Sequence, residues 1–195
     1  MSSPGLRERK KAKTRRLIQE HALRLIAERG YDGTTVEQIA EAAEVSPSTF
    51  FRYFPTKEDV ILRDDYDPIL VEVLLRQPTE LGPIPALRAA LREVFGTVYA
   101  EARDEIYRRT RLQMEVPALR ARLMQQQLET FQTFAEAMAA RTGREPADPD
   151  VRAFAGAFLG VSLAAIVQWM ESEGKAELPD LMDSALARLE NGLRF

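Results

Sequence analysis

The stretch Thr34–Lys57, TTVEQIAEAAEVSPSTFFRYFPTK, carries two sets of helix signals in close succession. Thr35 is a good helix N-cap, and Gln38 three residues on completes a capping-box pattern. Val36, Ile39, Ala40 and Ala43 then recur at helical spacing as one apolar face. Glu44-Val45 makes the turn. Ser46 caps the second helix, and Pro47 takes its first position, where a missing N–H costs nothing. Phe50 and Phe54 lie four apart and face inward, with Tyr53 at the edge of that face. Pro47, Ser48, Phe51 and Arg52 are left outside. Pro55 ends the helix, and Thr56 caps the next one, with Asp59 at the box position and Lys57 in the first turn.

Two short helices joined this way, with small polar groups at the front of the second, suit insertion into the major groove of DNA. An ordinary helical hairpin has the same outline. The aromatic cluster, the Pro-Thr-Lys that follows it and the basic segment ahead of it set this one apart. Residues 1–29 hold nine Lys/Arg against three Glu, a net +6 in a chain of net −3, so the remainder carries −9. That asymmetry suits a protein that docks one end on phosphates while its body stays acidic. A first helix is expected over about Ala12–Arg29, with Ile18, Ala22, Leu25 and Ile26 inward and Gly30–Gly33 as its turn. Residues 1–10 are expected to be mobile when free and to order along the DNA when bound.

These features resemble the TetR family of bacterial transcriptional regulators. The family pattern appears here as Thr35, Val45-Ser46, Thr49, Phe50-Phe51, Tyr53-Phe54 and Lys57, and the match covers roughly the first third of the chain. The longer run TFFRYFPTKEDVILRDDYDP also resembles an actinobacterial group that includes the mycofactocin-type regulators. The resemblance implies an all-α fold. It places a helix-turn-helix DNA-binding domain over residues 11–71, with its motif at 34–53, and a helical ligand-binding and dimerisation domain over 72–195. It implies DNA contacts from Arg15, Thr35, Val36, Ser46, Pro47, Ser48, Thr49, Phe51, Arg52, Tyr53 and Lys57. Two positions depart from the family. Ser48 stands where Gly is common. Phe51 stands where Tyr usually reaches a phosphate with its hydroxyl, which leaves Phe51 an apolar contact with a thymine methyl or a sugar.

The rest of the chain reads as helices without a convincing strand. A fourth helix is expected from Lys57 toward Arg76, with a kink at Asp67-Pro68. Later helices are expected over about Pro85–Ala102, Glu105–Val116, Ala118–Arg141, Asp150–Ser172 and Pro179–Asn191. The fourth helix starts beside the reading unit and leads into the larger domain, so it is the expected route of a signal. The small-residue strip Ala155, Gly156, Gly160 and Ala164 permits close helix approach. A two-fold interface between the last two helices of each copy is expected through Gly156, Gly160, Leu163, Val167, Leu186 and Leu189, with a core helix of a monomer as the alternative.

A pocket is expected among Phe95, Tyr99, Tyr107, Met114, Phe131, Phe134 and Trp169, with Arg111 or Gln168 as polar fixtures, although such residues at helical spacing also serve as plain core. Its effector is expected to be small and lipophilic, with an acyl thioester as one guess.

Enzyme chemistry finds little support. The single histidine, His21, has no nucleophile near it in sequence, and there is no cysteine. Asp64, Asp65 and Asp67 lack the glycine and distal glutamate of a calcium loop. No metal and no cofactor is expected. No run reads as long and apolar enough to span a membrane, and the charged N-terminus is unlike a signal peptide, so the cytoplasm is the expected location. The leading reading is a homodimeric regulator, by the family's usual mode a repressor, that binds a palindromic duplex operator and leaves it when a small lipophilic effector binds. The alternatives are a helix-turn-helix unit used for protein docking and a helical enzyme.

Overall fold

A computed structural model describes residues 5–63 and 66–193. The chain is helical and, among the described residues, has no strand. The helices are α1 (Leu6–Arg29), α2 (Val36–Ala42), α3 (Pro47–Tyr53), α4 (Asp59–Leu62), α5 (Tyr66–Arg76), α6 (Pro83–Val94), α7 (Ala100–Glu115), α8 (Pro117–Thr142), α9 (Pro149–Glu171) and α10 (Leu178–Glu190). A π-helical turn, Phe95–Tyr99, joins α6 to α7 without a break.

The helices form two compact units. One takes the N-terminal residues through Arg63 together with Arg108–Leu123, and the other takes Tyr66–Tyr107 together with the residues from Met124 onward. The division differs from the expected boundary at 71/72. Leu70, Val73 and Leu74 of α5 are buried in the second core, whereas Leu119 is fully buried in the first. A segment that returns to the first unit long after leaving it has no local signature in the chain.

The first core is built by Ile18, Ala22, Leu25 and Ile26 of α1, Ile39 and Ala40 of α2, Phe50 and Phe54 around α3, and Val60, Ile61 and Leu62 of α4. The α1 helix begins at Leu6, earlier than the expected Ala12, because Arg, Lys and Glu favour helix and no breaker follows Gly5. Gly30 ends it at φ +77°, and its N–H donates to the Ile26 carbonyl. Gly33 is required for a different reason: a Cβ there stands 2.3 Å from the Arg29 carbonyl oxygen. The fourth helix is split. Arg63, with φ −75° and ψ 120°, terminates α4, and Pro68 sits in the first turn of α5, where proline is tolerated. The break therefore lies ahead of the expected Asp67-Pro68.

The second core centres on Leu74, Leu87, Phe134, Met138, Ala155, Trp169 and Leu186. Arg141 closes the α5–α6 connection, donating to the carbonyls of Leu74 (3.4 Å), Gln77 (2.8 Å), Pro78 (2.5 Å) and Leu81 (3.1 Å). These carbonyls lie at and beyond the C-terminal end of α5, where a helix has no partners of its own. Arg88 pairs with both Asp183 (2.9 Å) and Glu190 (2.8 Å) and so ties α6 to α10. No gap separates the helices expected over 85–102 and 105–116; the π turn takes up the change in phase instead.

The α9 helix corrects one reading from the sequence: by length and composition it is apolar enough to cross a membrane. Its apolarity has two separate uses. Val151, Ala155, Phe158, Ala165 and Trp169 face the core. On the other face Gly156, Gly160, Leu163, Ala164 and Val167 are exposed. A one-faced core helix carries polar residues on that outer side.

Candidate functional site

The α3 helix is held by both ends of its sequence. The Ser46 Oγ accepts from the Thr49 N–H at 3.1 Å and donates to the Thr49 Oγ1 at 2.9 Å, and it lies 2.9 Å from the Ser48 Oγ. Phe50 and Phe54 are fully buried beneath it, with ring centroids 5.8 Å apart. This base leaves Pro47, Ser48, Phe51 and Arg52 exposed and Thr49 and Tyr53 half-buried. Phe51 is 49% exposed, its ring edge-on to Phe50 at 5.5 Å. The Arg52 guanidinium lies 5.6 Å from the centre of the Tyr53 ring.

The α2 helix is set by the expected capping box. Thr35 Oγ1 accepts from the Gln38 N–H at 3.3 Å, and Gln38 Oε1 accepts from the Thr35 N–H at 3.0 Å. Thr35 is exposed and Val36 half-buried at the helix entrance. Glu44 makes the turn between α2 and α3 at φ +54°, a left-handed conformation that glycine adopts at less cost. Arg15 is half-buried, while Arg7, Arg9, Lys10, Lys11 and Lys13 are exposed on the N-terminal part of α1. Arg16 and Arg24 pair along the same helix with Glu20 (2.9 Å) and Glu28 (3.1 Å).

Lys57, expected among the DNA contacts, is engaged within the protein. Its ammonium donates to the carbonyls of Tyr31 (2.6 Å) and Thr34 (2.8 Å) and sits 3.9 Å from the centre of the Tyr31 ring. It is a clip on the loop between α1 and α2. The neighbouring Tyr31 hydroxyl donates to Glu58 at 2.5 Å. Burial first, and then that bond and the Glu58 charge, raise the Tyr31 pKa. Burial pushes Glu58 up, but the bonds from Tyr31, its own N–H and Thr56 outweigh it and hold the carboxyl below its ordinary range. Gln19 escaped the sequence reading. Its amide donates to the carbonyls of Val60 (3.3 Å) and Arg63 (2.6 Å) and so fastens α1 to the end of α4. A glutamine beside the inward Ile18 was the available signal.

The expected pocket residues do not all converge. Four meet inside the second unit. Phe95 and Tyr99 are 5.6 Å apart, Tyr99 and Trp169 6.2 Å, and Tyr107 and Trp169 5.2 Å, by ring centres. Trp169 is fully buried, and its Nε1 has no hydrogen-bond partner among the described residues. Phe134 instead packs on Phe158 at 4.3 Å. Phe131 borders a separate open groove of about 450 Å³ with Leu128, Ala135 and Pro146. Arg111 and Met114 fall among the residues of the first unit, and Arg111 is exposed and paired with Glu115 at 3.5 Å, so it is no fixture of this cluster. Gln168 is exposed. Among the interface residues, Leu186 is 1% exposed and belongs to the core, because α10 turns that side toward α6 and α9; Gly156, Gly160, Leu163 and Val167 are exposed.

Asp64 and Asp65 lie outside the described residues. Asp67 accepts from the Thr130 hydroxyl at 3.1 Å, and burial raises its pKa against that bond. Among the described residues no group of three or more His, Cys, Asp or Glu is placed to hold a metal. His21 lies 3.2 Å from an Arg24 nitrogen.

Three comparisons bear on this arrangement. The chain is 44% identical over 99 residues to the HTH-type transcriptional regulator TcmR of Streptomyces glaucescens, an alignment covering 50% of this chain but only 44% of TcmR. It is 29% identical over 168 residues to MftR of Mycobacterium tuberculosis, named as a candidate mycofactocin biosynthesis transcriptional regulator, covering 85% of this chain and 84% of MftR. Its fold is similar to that of FadR from Thermus thermophilus, a TetR-family transcriptional repressor in complex with lauroyl-CoA, with a TM-score of 0.59 at 24% identity, covering 93% of this chain and 95% of that one. Residues 18–63 match the family model described as bacterial regulatory proteins of the tetR family, and residues 81–194 match the MftR C-terminal domain. The second match alone exceeds half of the 195 residues, and with the capped, aromatic-backed α3 it places the chain in the TetR family of bacterial transcriptional regulators.

Proposed function

We propose that the chain is an effector-responsive repressor that binds a palindromic operator as a homodimer and works in the cytoplasm. The observation that carries this reading is the outer face of α3. A base of buried Phe50 and Phe54 presents Pro47, Ser48, Thr49, Phe51 and Arg52 together at the front of a capped helix, and α1 of the same unit carries an exposed basic stretch. Ser48 and Thr49 reach base edges, Phe51 lies against a thymine methyl, and Tyr53, Arg15 and the entrance of α2 position the unit on the backbone. Lys57 supports that surface from behind.

Two supports favour the homodimer. Leu163 is 54% and Val167 37% exposed on α9 beside Gly156 and Gly160, an apolar strip with room for a second helix. A palindromic operator also requires two reading heads about 34 Å apart. The effector site is assigned to Phe95, Tyr99, Tyr107 and Trp169. The lauroyl-CoA held by Thermus thermophilus FadR suggests an acyl compound. Such a compound controls the operator only insofar as it prefers one state of the protein over the other.

Titration of the purified protein with duplex from its own promoter region tests the reading. Affinity is expected to fall steeply with salt, and Ser48→Ala with Thr49→Ala to change which sequence is preferred. Absence of duplex binding at low salt refutes it and favours the docking-module reading.

A further inference from the structure

Trp169 is the least economical residue of the second core. Its side chain is fully buried, yet no described residue offers its Nε1 an acceptor. A phenylalanine or leucine fills such a place without a buried donor to satisfy. Among the described residues none supplies the missing oxygen. Tyr107 presents a ring at 78° to the indole, and Tyr99 a ring tilted by 51°. The Tyr99 hydroxyl is already engaged, accepting from the Leu178 N–H at 3.4 Å and interacting with the Glu177 carboxylate. Glu177 is in turn held by Arg103 at 3.0 Å, so this end of the cluster is charge-balanced.

One wall is held by close contacts, and the other belongs to an irregular turn of helix. Gly174, at φ +73°, lies so close that a Cβ there stands 2.8 Å from the Tyr107 ring, and Arg103 donates to the Gly174 carbonyl at 2.6 Å. Phe95 and Tyr99, by contrast, are the two ends of the π-helical turn. Single π turns inside helices recur at functional sites.

We propose that the Trp169 N–H is the polar end of the effector site, and that it receives the carbonyl oxygen of an uncharged, apolar acyl or ketone group lodged between Tyr99 and Tyr107. The inference rests on the effector-site assignment above. It adds the ligand's chemistry: one acceptor, no charge near it, and an apolar remainder. A free carboxylate is expected to bind poorly, because Arg103, the cation described at this cluster, is already paired with Glu177.

Trp169 is the only tryptophan, so the protein labelled with ¹⁵N gives one indole cross-peak. The probes are 2-undecanone, undecane and undecanoate. 2-Undecanone is expected to move that peak downfield and to bind about tenfold tighter than undecane, the equivalent of ~1.4 kcal/mol. Undecanoate is expected to leave the peak in place. Trp169→Phe is expected to bind the ketone and the alkane equally. A ketone that leaves the peak unmoved overturns the proposal in the wild-type protein, without reliance on any variant. So does a ketone preference that survives Trp169→Phe. Binding of promoter duplex by the ligand-free protein is measured alongside. Its loss refutes the regulator reading alone, and its presence with an unmoved indole peak refutes this inference alone.

Discussion

Replacing Lys57 by methionine keeps the length of the side chain and removes its charge, and so asks whether this residue serves the fold or the DNA. The ammonium makes bonds of 2.6 and 2.8 Å to two carbonyls and lies over the Tyr31 ring. A bond from a charged donor contributes ~1.5–3 kcal/mol, and the lower figure suits a half-buried group. Two such bonds with a cation–π contact of ~0.5–1 kcal/mol, less ~1–2 kcal/mol for releasing the lysine rotamers, leave a net loss of about 1.5–3 kcal/mol. The clip joins the Tyr31–Thr34 loop to the residues ahead of α4, so the loss falls on α2. Amide hydrogen exchange of residues 36–42 in the free protein measures it. Protection is expected to drop about 10- to 150-fold, at ~1.4 kcal/mol per tenfold. Unchanged protection of α2, combined with a collapse of operator affinity, refutes the clip and returns Lys57 to the phosphate backbone.

Three further outcomes follow from particular contacts. Ser46→Ala removes the N-cap of α3 and is expected to destabilise the first unit by ~1 kcal/mol in urea titrations, with a larger effect on operator affinity because Ser48 and Thr49 lose their shared partner. Asp67→Asn is expected to raise the melting temperature at pH 7. The folded pKa of Asp67 is raised, so the folded state binds more protons than the unfolded one, and its contribution is complete only below about pH 4 and lost as pH rises through the folded value. The advantage of the asparagine should therefore vanish in melts near pH 3. Leu163→Glu on the exposed side of α9 is expected to give monomers by sedimentation while leaving the far-UV circular dichroism unchanged, since its side chain is outside the core.

Local chemistry determined the reading unit from the sequence. Caps at Thr35 and Ser46, the proline at 47 and the Phe50/Phe54 spacing act over three or four residues, and such signals survive without knowledge of the rest of the chain. The alternation of apolar faces and breakers placed the last three helices to within a few residues for the same reason, but it put a break after 102 where the chain stays helical. Tertiary structure decided what distance in sequence conceals. It turned Lys57 inward, because the Tyr31 and Thr34 carbonyls arrive from more than twenty residues away. It put Leu119 into the first core and Leu186 into the second. It also divided one list of aromatic residues into a closed cluster around Trp169 and a separate Phe134–Phe158 pair, since identical helical spacing serves a core and a pocket alike. Only the packed structure reveals that one of those rings holds a buried N–H that no described residue receives.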